Sequence, residues 1–278
     1  MKNLKVGLQL YSVRDKMEQN MEETLKAVKE MGYDCVEFAG YFGKSAQEVK
    51  AILDKLGLEC ASVHQTYDVF LDNPDENIEY IKTLGAKFCA IPWMGIEDQK
   101  GYPGFKKAVE DIKKVASLLK ENGITMLYHN HDFEFEKFED KYLFDWLYET
   151  VGLDLLKPEI DTCWVKYAGE DPCKYLEKYA ENIDVVHLKD FDCKKFASGP
   201  VYALIDNSGK ENKTENNNED NEFKFKSLGS GLQNFEEILN SVEKTNVQYV
   251  IVEQDQWYDD NSLELARKSR EYLKTLGI

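Results

Sequence analysis

Several residues that can bind metal ions or transfer protons stand at the ends of short apolar runs in this sequence. All four histidines do so, and further runs end at Asp161 and Glu253. Carboxylate oxygens and imidazole nitrogens together suit divalent cations such as Mn²⁺, Mg²⁺, Co²⁺ and Zn²⁺, without selecting one of them. We therefore expect Asp161, His187 and Glu253 to bind a divalent metal ion, with His129 as the candidate for a fourth ligand.

The same residues also have structural explanations. Asp161 could cap the turn that follows it, and Glu253 could form an ion pair with Lys189. A single histidine is more often a hydrogen-bonded structural residue than a functional one. Four histidines at one kind of position are harder to explain in this way, so the pattern favours a functional site.

The elements that would position these residues alternate regularly along the chain. Short apolar runs are followed by amphipathic stretches, which predicts parallel strands joined by crossover helices. The eight predicted strands are Val6–Leu10, Cys35–Phe38, Cys60–His64, Phe88–Ile91, Thr125–His129, Lys157–Ile160, Asp184–Leu188 and Tyr249–Val252. Eight units close a (β/α)₈ TIM barrel, so we expect an α/β fold with a single domain over residues 1–278. An open doubly wound sheet is the alternative, but no G-x-G-x-x-G motif follows the first strand.

Helix boundaries are marked by capping residues. The predicted helices are Met21–Met31, Ser45–Leu56, Pro74–Leu84, Gly104–Glu121, Tyr142–Thr150, Pro172–Tyr179, Phe235–Lys244 and Leu263–Leu276. Ser45 and Glu48 have the spacing of a capping box, and glycines end four of the helices. The C-terminal ends of barrel strands carry the functional residues of such folds. We therefore expect the polar residues at the ends of the apolar runs to lie together on that face of the barrel.

Eight short motifs follow one another in the order of a known family. They are Gly7–Arg14, Val36–Gly40, Val63–His64, His129–Phe135, Asp161–Trp164, His187–Asp190, Leu228–Gly231 and Val252–Asp255. In this order they resemble the sugar phosphate isomerase/epimerase family, which has a xylose isomerase-like TIM barrel. The resemblance covers nearly the whole chain. It implies a metal held by residues of strands five to eight and proton abstraction next to the carbonyl of a small sugar or sugar derivative.

One position departs from the family pattern. Many members have Glu in a Glu-Asn-His motif at the end of strand five, where this chain has His129-Asn130-His131. Family epimerases resemble two-base enzymes with metal-bound glutamates on opposite faces of the substrate carbon, and of these this chain retains Glu253. A one-base reaction is easier to build here. We expect a sugar isomerase or epimerase, and the alternative is a lyase or dehydratase acting on a keto-sugar, keto-glycoside or keto-inositol.

Roles follow for the remaining polar residues at the strand ends. Glu253 is the expected base, and His64 or His131 is the expected acid. The residues expected to contact the sugar are Gln9, Glu37, Glu134, Trp164 and Lys189. Within this set, Trp164 could stack on a sugar face, and Lys189 could hold an enolate or a phosphate as a point charge.

Two other functions of this barrel type fit the sequence less well. An apurinic-site endonuclease would need more histidine ligands and a basic surface for DNA. The chain instead has 52 Asp and Glu residues against 35 Lys and Arg, a net charge of −17, which would repel a phosphate backbone. A non-catalytic sugar-binding barrel would have no need of Asp161, His187 and Glu253. Fold analogy alone does not separate these functions.

Partners and location follow from features that the sequence lacks. We expect a small-molecule sugar substrate and neither nucleic-acid nor membrane partners, because no apolar run has the length of a membrane span. The N-terminus lacks the pattern of a signal peptide, so we expect a cytoplasmic protein whose six cysteines are reduced. The oligomeric state stays open, and a homo-oligomer is one alternative.

The segment between strands seven and eight contains two further features. Residues 195–226 are expected to form a polar, flexible insertion, with Asn207–Asn221 the most mobile part because almost nothing in it can be buried. After it, the backbone N–H groups of Leu228–Gly231 could face an anion at a helix start. A plain turn that enters the helix is the alternative, and the sequence alone does not support a phosphate site there.

Overall fold

A closed ring of eight parallel strands forms the centre of the protein. The computed structural model describes residues 4–196, 222–258 and 261–278. The ring strands, β1 to β8, are Lys5–Gln9, Cys35–Ala39, Glu59–His64, Phe88–Ile91, Thr125–His129, Leu156–Asp161, Val185–Leu188 and Tyr249–Val252. Each strand pairs with its neighbours in chain order, and β8 pairs with β1. The predicted xylose isomerase-like TIM barrel is confirmed.

Helices follow the ring strands, as the alternating pattern predicts. The α-helices are Arg14–Gln19, Met21–Met31, Ala46–Leu56, Val69–Asp72, Pro74–Leu84, Phe105–Glu121, Leu143–Val151, Thr162–Tyr167, Pro172–Lys178, Phe235–Val242 and Ser262–Thr275. Short 3₁₀ turns lie at Leu10–Val13, Ile96–Asp98 and Phe133–Phe135. The short helices Arg14–Gln19, Val69–Asp72 and Thr162–Tyr167 were missed by the sequence prediction, because four to six residues show no 3.6-residue period.

The helix that follows β2 illustrates how local sequence sets an element boundary. The Ser45 hydroxyl accepts the backbone N–H of Glu48, and the Glu48 carboxylate accepts the backbone N–H of Ser45 at 2.9 Å. The predicted capping box is therefore present. The helix ends at Gly57, whose φ of +65° is a left-handed conformation that glycine adopts without steric cost.

The barrel interior is apolar at one end. Its buried cluster consists of Cys35, Ala61, Phe88, Ala90, Leu127, Val185, Tyr249 and Ile251. A larger apolar core, which includes Val6, Leu8 and Val250, contains the residues of the strands and helices that pack against each other outside the ring. Gly7 on β1 is required by close packing, because a Cβ there would lie 2.5 Å from Ile251 Cδ1.

A two-stranded antiparallel sheet extends the chain after β7. Asp190–Asp192 pairs with Lys224–Lys226, and Phe191 and Phe225 are buried between this sheet and the helix Thr162–Tyr167. Lys224–Lys226 is thus an ordered strand at the end of the predicted insertion. Residues 197–221, which include Asn207–Asn221, lie outside the described residues.

The described helices include none with both the length and the apolar composition of a membrane span.

Candidate metal centre and active site

Alternation along the strands explains why polar groups collect at one end of the barrel. This end, where the C-terminal ends of the strands lie, is called the mouth. Residues two apart in a strand face the same side. On β8, Tyr249 and Ile251 face the apolar interior, and Glu253 is the next residue of that series. On β7, Val185 lies in the same apolar layer and His187 lies above it. The inward series therefore changes from apolar to polar toward the C-terminal ends.

Four side chains converge at this mouth from β5, β6, β7 and the end of β8. Their ligand atoms all lie within 4.8 Å of one another, and the set is His129, Asp161, His187 and Glu253. His187 Nδ1 lies 2.9 Å from Glu253 Oε2. His129 Nε2 lies 3.3 Å from Asp161 Oδ2 and 3.6 Å from Glu253 Oε2. The structure thus brings together the four residues expected to bind a metal.

Unpartnered atoms in this set fit a divalent cation. Within the described residues, His129 Nδ1 has no hydrogen-bond partner, and His129 Nε2 and Asp161 Oδ2 have only ion-pair contacts of 3.1 to 3.6 Å. The exposed fraction of His129 is 2%, and Asp161 is fully buried. A buried polar atom without a partner is costly, so such atoms indicate a missing ligand. Two carboxylates and two imidazoles are a donor set for Mn²⁺, Co²⁺ or Zn²⁺.

The structural roles considered for Asp161 and Glu253 are also present. Asp161 Oδ1 accepts the backbone N–H groups of Cys163 and Trp164 and so caps the helix Thr162–Tyr167. Glu253 Oε2 lies 2.8 Å from Lys189 Nζ. The capping bonds use one oxygen of Asp161 and leave the other directed at the cluster. Structural and ligand roles are therefore compatible in one residue.

Lys189 brings a positive charge into the mouth. Its Nζ lies 3.1 Å from Asp161 Oδ2 and donates to Asp255 Oδ2, also at 3.1 Å. Burial would raise the pKa of Glu253, but Lys189 and His187 hold it well below its usual value. Burial likewise would raise the pKa of Asp161, and Lys189 and His129 lower it. Both carboxyl groups are therefore ionised at neutral pH.

A second group of carboxylates and imidazoles adjoins the first. The ligand atoms of Glu37, His64, Glu159 and His187 also lie within 4.8 Å of one another. His64 Nε2 lies 2.7 Å from Glu159 Oε2 and 3.0 Å from Glu37 Oε1, and His187 Nε2 lies 2.7 Å from Glu37 Oε1. Burial lowers the pKa of His64, but Glu37 and Glu159 raise it to about 10. We call this group the deep cluster.

Two of the residues expected to contact substrate, Gln9 and Glu134, form hydrogen bonds with other residues of the protein. Gln9 donates from Nε2 to Glu37 Oε1 at 2.8 Å and accepts the Tyr11 N–H, and it is fully buried. Glu134 accepts the Tyr128 hydroxyl and the backbone N–H of His131. Burial raises the pKa of Glu134 to about 7. These contacts hold both side chains within the protein's own hydrogen-bond network.

Trp164, the expected stacking residue, is fully buried. Its ring stacks on Phe223 with centroids 5.7 Å apart and meets Phe225 edge-on. Lys189 Nζ lies 5.2 Å from the Trp164 centroid, and the His131 centroid lies 5.6 Å away. Trp164 therefore packs against Lys189 and His131 at the mouth. Its contact with a sugar stays a prediction.

The sequence prediction gave no role to two further polar residues at the strand ends, Glu159 and Asp255. Glu159 precedes Asp161 by two residues on β6, so the period of the strand places both on the same side. Asp255 follows Glu253 by two residues after β8 and accepts Lys189. Burial raises the pKa of Asp255 to about 6, although Lys189 opposes the shift. The period-two spacing from a predicted ligand was the signal that could have found them.

The turn at Leu228–Gly231, considered for an anion, is occupied by a carboxylate of the protein. Asp190 Oδ2 accepts the N–H groups of Gly229 and Gly231 at 3.0 and 2.9 Å, and Oδ1 accepts that of Gln233 at 3.1 Å. A Cβ at Gly231 would lie 2.4 Å from Asp190 Oδ1, so glycine is required there. Burial raises the pKa of Asp190, and these N–H donors oppose the rise. The donors that could have held a phosphate are thus already bound.

Comparison with known proteins identifies relatives over nearly the full chain. A model of the xylose isomerase-like TIM barrel matches residues 25–276. The inosose dehydratase of Clostridium perfringens is 25% identical, and the match covers 92% of this chain and 90% of that protein. The inosose dehydratase of Clostridium beijerinckii is also 25% identical, with the same coverage of both proteins.

Solved structures agree in fold. A sugar phosphate isomerase/epimerase from Parabacteroides distasonis has a TM-score of 0.76 at 21% identity, covering 99% of this chain and 94% of that one. A probable 3-DHS dehydratase from Bacillus anthracis has a TM-score of 0.71 at 15% identity, covering 98% and 99%. At these identities the likeness shows the fold alone. The names of these four proteins divide between dehydratases and an isomerase/epimerase.

Proposed function

This chain belongs to the xylose isomerase-like TIM barrel family, and we propose that it is a divalent-metal-dependent enzyme that removes a proton next to the carbonyl of a small sugar derivative. The observation that carries the proposal is the convergence of His129, Asp161, His187 and Glu253 within 4.8 Å at the C-terminal mouth. When bound by these residues, a divalent cation would supply Lewis-acid stabilisation to negative charge developing on the carbonyl oxygen.

Glu253 is the proposed base. Its carboxylate is ionised at neutral pH, because Lys189 and His187 hold its pKa well below the usual value against the effect of burial. The exposed fraction of Glu253 is 6%, compared with none for Asp161, so Glu253 lies nearer to the space that a substrate would enter. In the proposed step the C–H bond breaks, the proton passes to the carboxylate, and the electron pair forms an enolate.

Lys189 is the proposed electrostatic partner of that enolate. Its ammonium is held among Asp161, Glu253 and Asp255 at 2.8 to 3.1 Å. Burial would lower the pKa of Lys189, but these three carboxylates raise it well above its usual value. The charge is therefore permanent, and it is fixed in place before substrate binds. Preorganised charge of this kind costs no reorganisation in the transition state.

His131 is the proposed acid. Its ring centroid lies 5.1 Å from that of His129. Burial, together with His129 and Lys189, lowers the pKa of His131 well below its usual value, so the ring is uncharged. A neutral imidazole can still donate its N–H to a substrate oxygen, as in other barrel enzymes. His64 is less suited to this role, since its Nε2 already faces both Glu37 and Glu159.

Elimination of water from a keto-inositol or keto-sugar is the reaction that we favour. Epimerisation requires bases on both faces of the carbon, and His129 stands where many family members have the second glutamate. One base is sufficient for elimination: the enolate re-forms the carbonyl, a C=C bond forms, and the neighbouring hydroxyl leaves as water with the proton that Glu253 removed from carbon, while His131 donates a hydrogen bond to the substrate. The full-length match to inosose dehydratases supports this choice.

Isomerisation of an aldose or ketose is the second candidate function. It uses the same first step, after which the proton returns to the neighbouring carbon. The similar fold of a protein named sugar phosphate isomerase/epimerase favours this alternative. The occupied turn at Asp190 argues for a substrate without phosphate in either case.

Solvent exchange tests the proposal. The protein is stripped with a chelator, loaded with Mn²⁺ and incubated in D₂O with keto-inositols, keto-sugars and 3-keto-glycosides, and ¹H NMR follows the products. Elimination yields an unsaturated product, whereas isomerisation yields deuterium at the neighbouring carbon. The Asp161→Asn variant is the control and should lose the reaction. Conversion of a substrate without exchange and without a primary isotope effect at that C–H bond would contradict the enolate mechanism.

A further inference from the structure

The deep cluster has the composition of a metal site of its own. It combines two carboxylates and two imidazoles, from β2, β3, β6 and β7, with ligand atoms within 4.8 Å of one another. Glu37 and Glu159 are fully buried, and the exposed fraction of the His64 side chain is 7%. His64 is thus the most exposed member of the cluster, and the two carboxylates are more deeply buried.

The contacts inside the deep cluster leave acceptor atoms unused. Glu37 Oε2 and Glu159 Oε1 are buried and have no hydrogen-bond partner in the described part of the chain. The opposite oxygens, Glu37 Oε1 and Glu159 Oε2, both face His64 Nε2. One imidazole nitrogen cannot donate its single proton fully to two carboxylates. A cation among these atoms would satisfy all of them together.

Charge balance points in the same direction. Five buried carboxylates meet at the mouth and in the deep cluster: Glu37, Glu159, Asp161, Glu253 and Asp255. Within the described part of the chain, Lys189 lies among three of them, and the imidazoles of His64 and His187 face the carboxylates as well. Imidazoles that coordinate a metal through one nitrogen are uncharged, so two divalent ions together with Lys189 would neutralise the five carboxylates.

We propose that Glu37, His64 and Glu159 hold a second divalent cation, beside the one proposed for His129, Asp161 and Glu253. The second ion extends the proposed function and rests on it through His187, which belongs to both groups. His187 directs Nδ1 toward Glu253 at 2.9 Å and Nε2 toward Glu37 at 2.7 Å. With both ions bound, the ring would present one nitrogen to each group as an imidazolate, its proton having been released to solvent.

Metal stoichiometry tests the second ion directly. The full chain is stripped with a chelator, equilibrated with Mn²⁺ alone, freed of unbound metal by gel filtration and measured by elemental analysis. The wild type is expected to hold two ions per chain. His64→Gln and Glu159→Gln are each expected to hold one. The control is Glu59→Gln, because Glu59 lies on the same strand as His64 but at the opposite end of the barrel, and it should hold two.

Electron paramagnetic resonance provides a second measurement that does not depend on the variants. Two Mn²⁺ ions separated by one imidazole are magnetically coupled, so the fully loaded wild type should give a coupled spectrum. His64→Gln should give the spectrum of an isolated ion. Circular dichroism of each variant shows whether it is folded. If the wild type holds one ion with an isolated-ion spectrum, a pair of ions is refuted, and the variants show which of the two groups holds the single ion.

Asp161→Asn separates this proposal from the proposed function. Two ions in the wild type, with one lost in Asp161→Asn and one lost in His64→Gln, support both sites. One ion that is lost in Asp161→Asn but kept in His64→Gln retains the first site and refutes the second. One ion that is kept in Asp161→Asn but lost in His64→Gln refutes the first site and retains a single ion in the deep cluster. A wild type that holds no Mn²⁺ refutes both.

Discussion

Lys189 and Asp190 are consecutive residues, but their side chains lie in two buried regions that differ in how charged groups are compensated. Lys189 points into the mouth, where His129 Nδ1 has no hydrogen-bond partner in the described residues and Asp161 Oδ2 has only ion-pair contacts. Asp190 points into the turn after the two-stranded sheet, where its two oxygens accept four backbone N–H groups. Both regions are buried, so solvent does not account for the difference.

The comparison distinguishes a structural charge from a functional one. The Asp190 carboxylate is satisfied by the backbone and keeps a loop in place, and nothing further is needed to stabilise it. The mouth has more acidic groups than Lys189 can neutralise, and its unpartnered atoms converge. Unsatisfied buried groups are expensive, and the proposed metal ion would satisfy those at the mouth. The following predictions test that distinction, from the largest expected effect to the smallest.

Glu253→Gln is expected to have the largest effect. Removal of the base should reduce turnover by about 10²–10⁴-fold, because that is the usual contribution of a positioned base. The measurement is steady-state kinetics on the substrate found by the NMR screen. Glu236→Gln makes the same chemical change on the exposed side of the helix Phe235–Val242 and should retain full turnover. Wild-type turnover in Glu253→Gln would remove Glu253 from the mechanism.

Metal removal is expected to lower thermal stability. A ligand that binds the folded state at 100 times its Kd stabilises it by about 2.7 kcal/mol. Addition of Mn²⁺ to the chelator-treated protein should therefore raise the Tm by several degrees, measured by scanning calorimetry. Asp161→Asn should lose most of this rise, because it removes a ligand oxygen. Asp190→Asn should keep it, and an equal loss in both variants would abolish the distinction between the two regions.

Asp190→Asn is expected to act on stability alone. An amide retains one acceptor oxygen and places an NH₂ group against N–H donors, so two of the four hydrogen bonds are lost. The expected cost is about 1–3 kcal/mol in the free energy of unfolding, measured with urea. Mn²⁺ stoichiometry should not change. If stability were unaffected, the Asp190 carboxylate would not be holding the turn.

Inorganic phosphate is expected to leave the Tm unchanged, which is the smallest of the expected effects. The N–H groups of Gly229 and Gly231 already donate to Asp190, so no donors remain in that turn for an anion. The Tm of the wild type should be the same in phosphate as in chloride at equal ionic strength. A rise that is specific to phosphate would show that the loop can release Asp190 and bind an anion.

Much of this architecture can be predicted from the sequence. Strands such as Thr125–His129 and Tyr249–Val252 were predicted with the bounds that the structure shows, because apolar runs bounded by turns are local patterns. The identity of the candidate ligands is also local, since Asp161 ends β6 and His187 is the penultimate residue of β7. The pairing of neighbouring strands in order then places these ends side by side, as Asp161 and His187 are in register.

Contacts across the barrel were decided by the tertiary structure. His64 and Glu159 are 95 residues apart and meet because the ring closes. A register shift in the pairing of β2 with β3 adds one residue to β3, so that Ala61 faces the apolar interior and His64, three residues later, reaches the deep cluster. Strict alternation would have placed these two side chains on opposite faces.

The sequence by itself determined the barrel, the face that carries the polar residues and the kinds of atoms available to a metal. Only the tertiary structure decided how those atoms are shared: that His187 faces two groups, that Glu159 joins His64, and that Asp190 takes the N–H donors of Gly229 and Gly231. The physical reason is that periodicity acts between neighbours in the chain, whereas these contacts depend on strand register and loop closure over tens of residues.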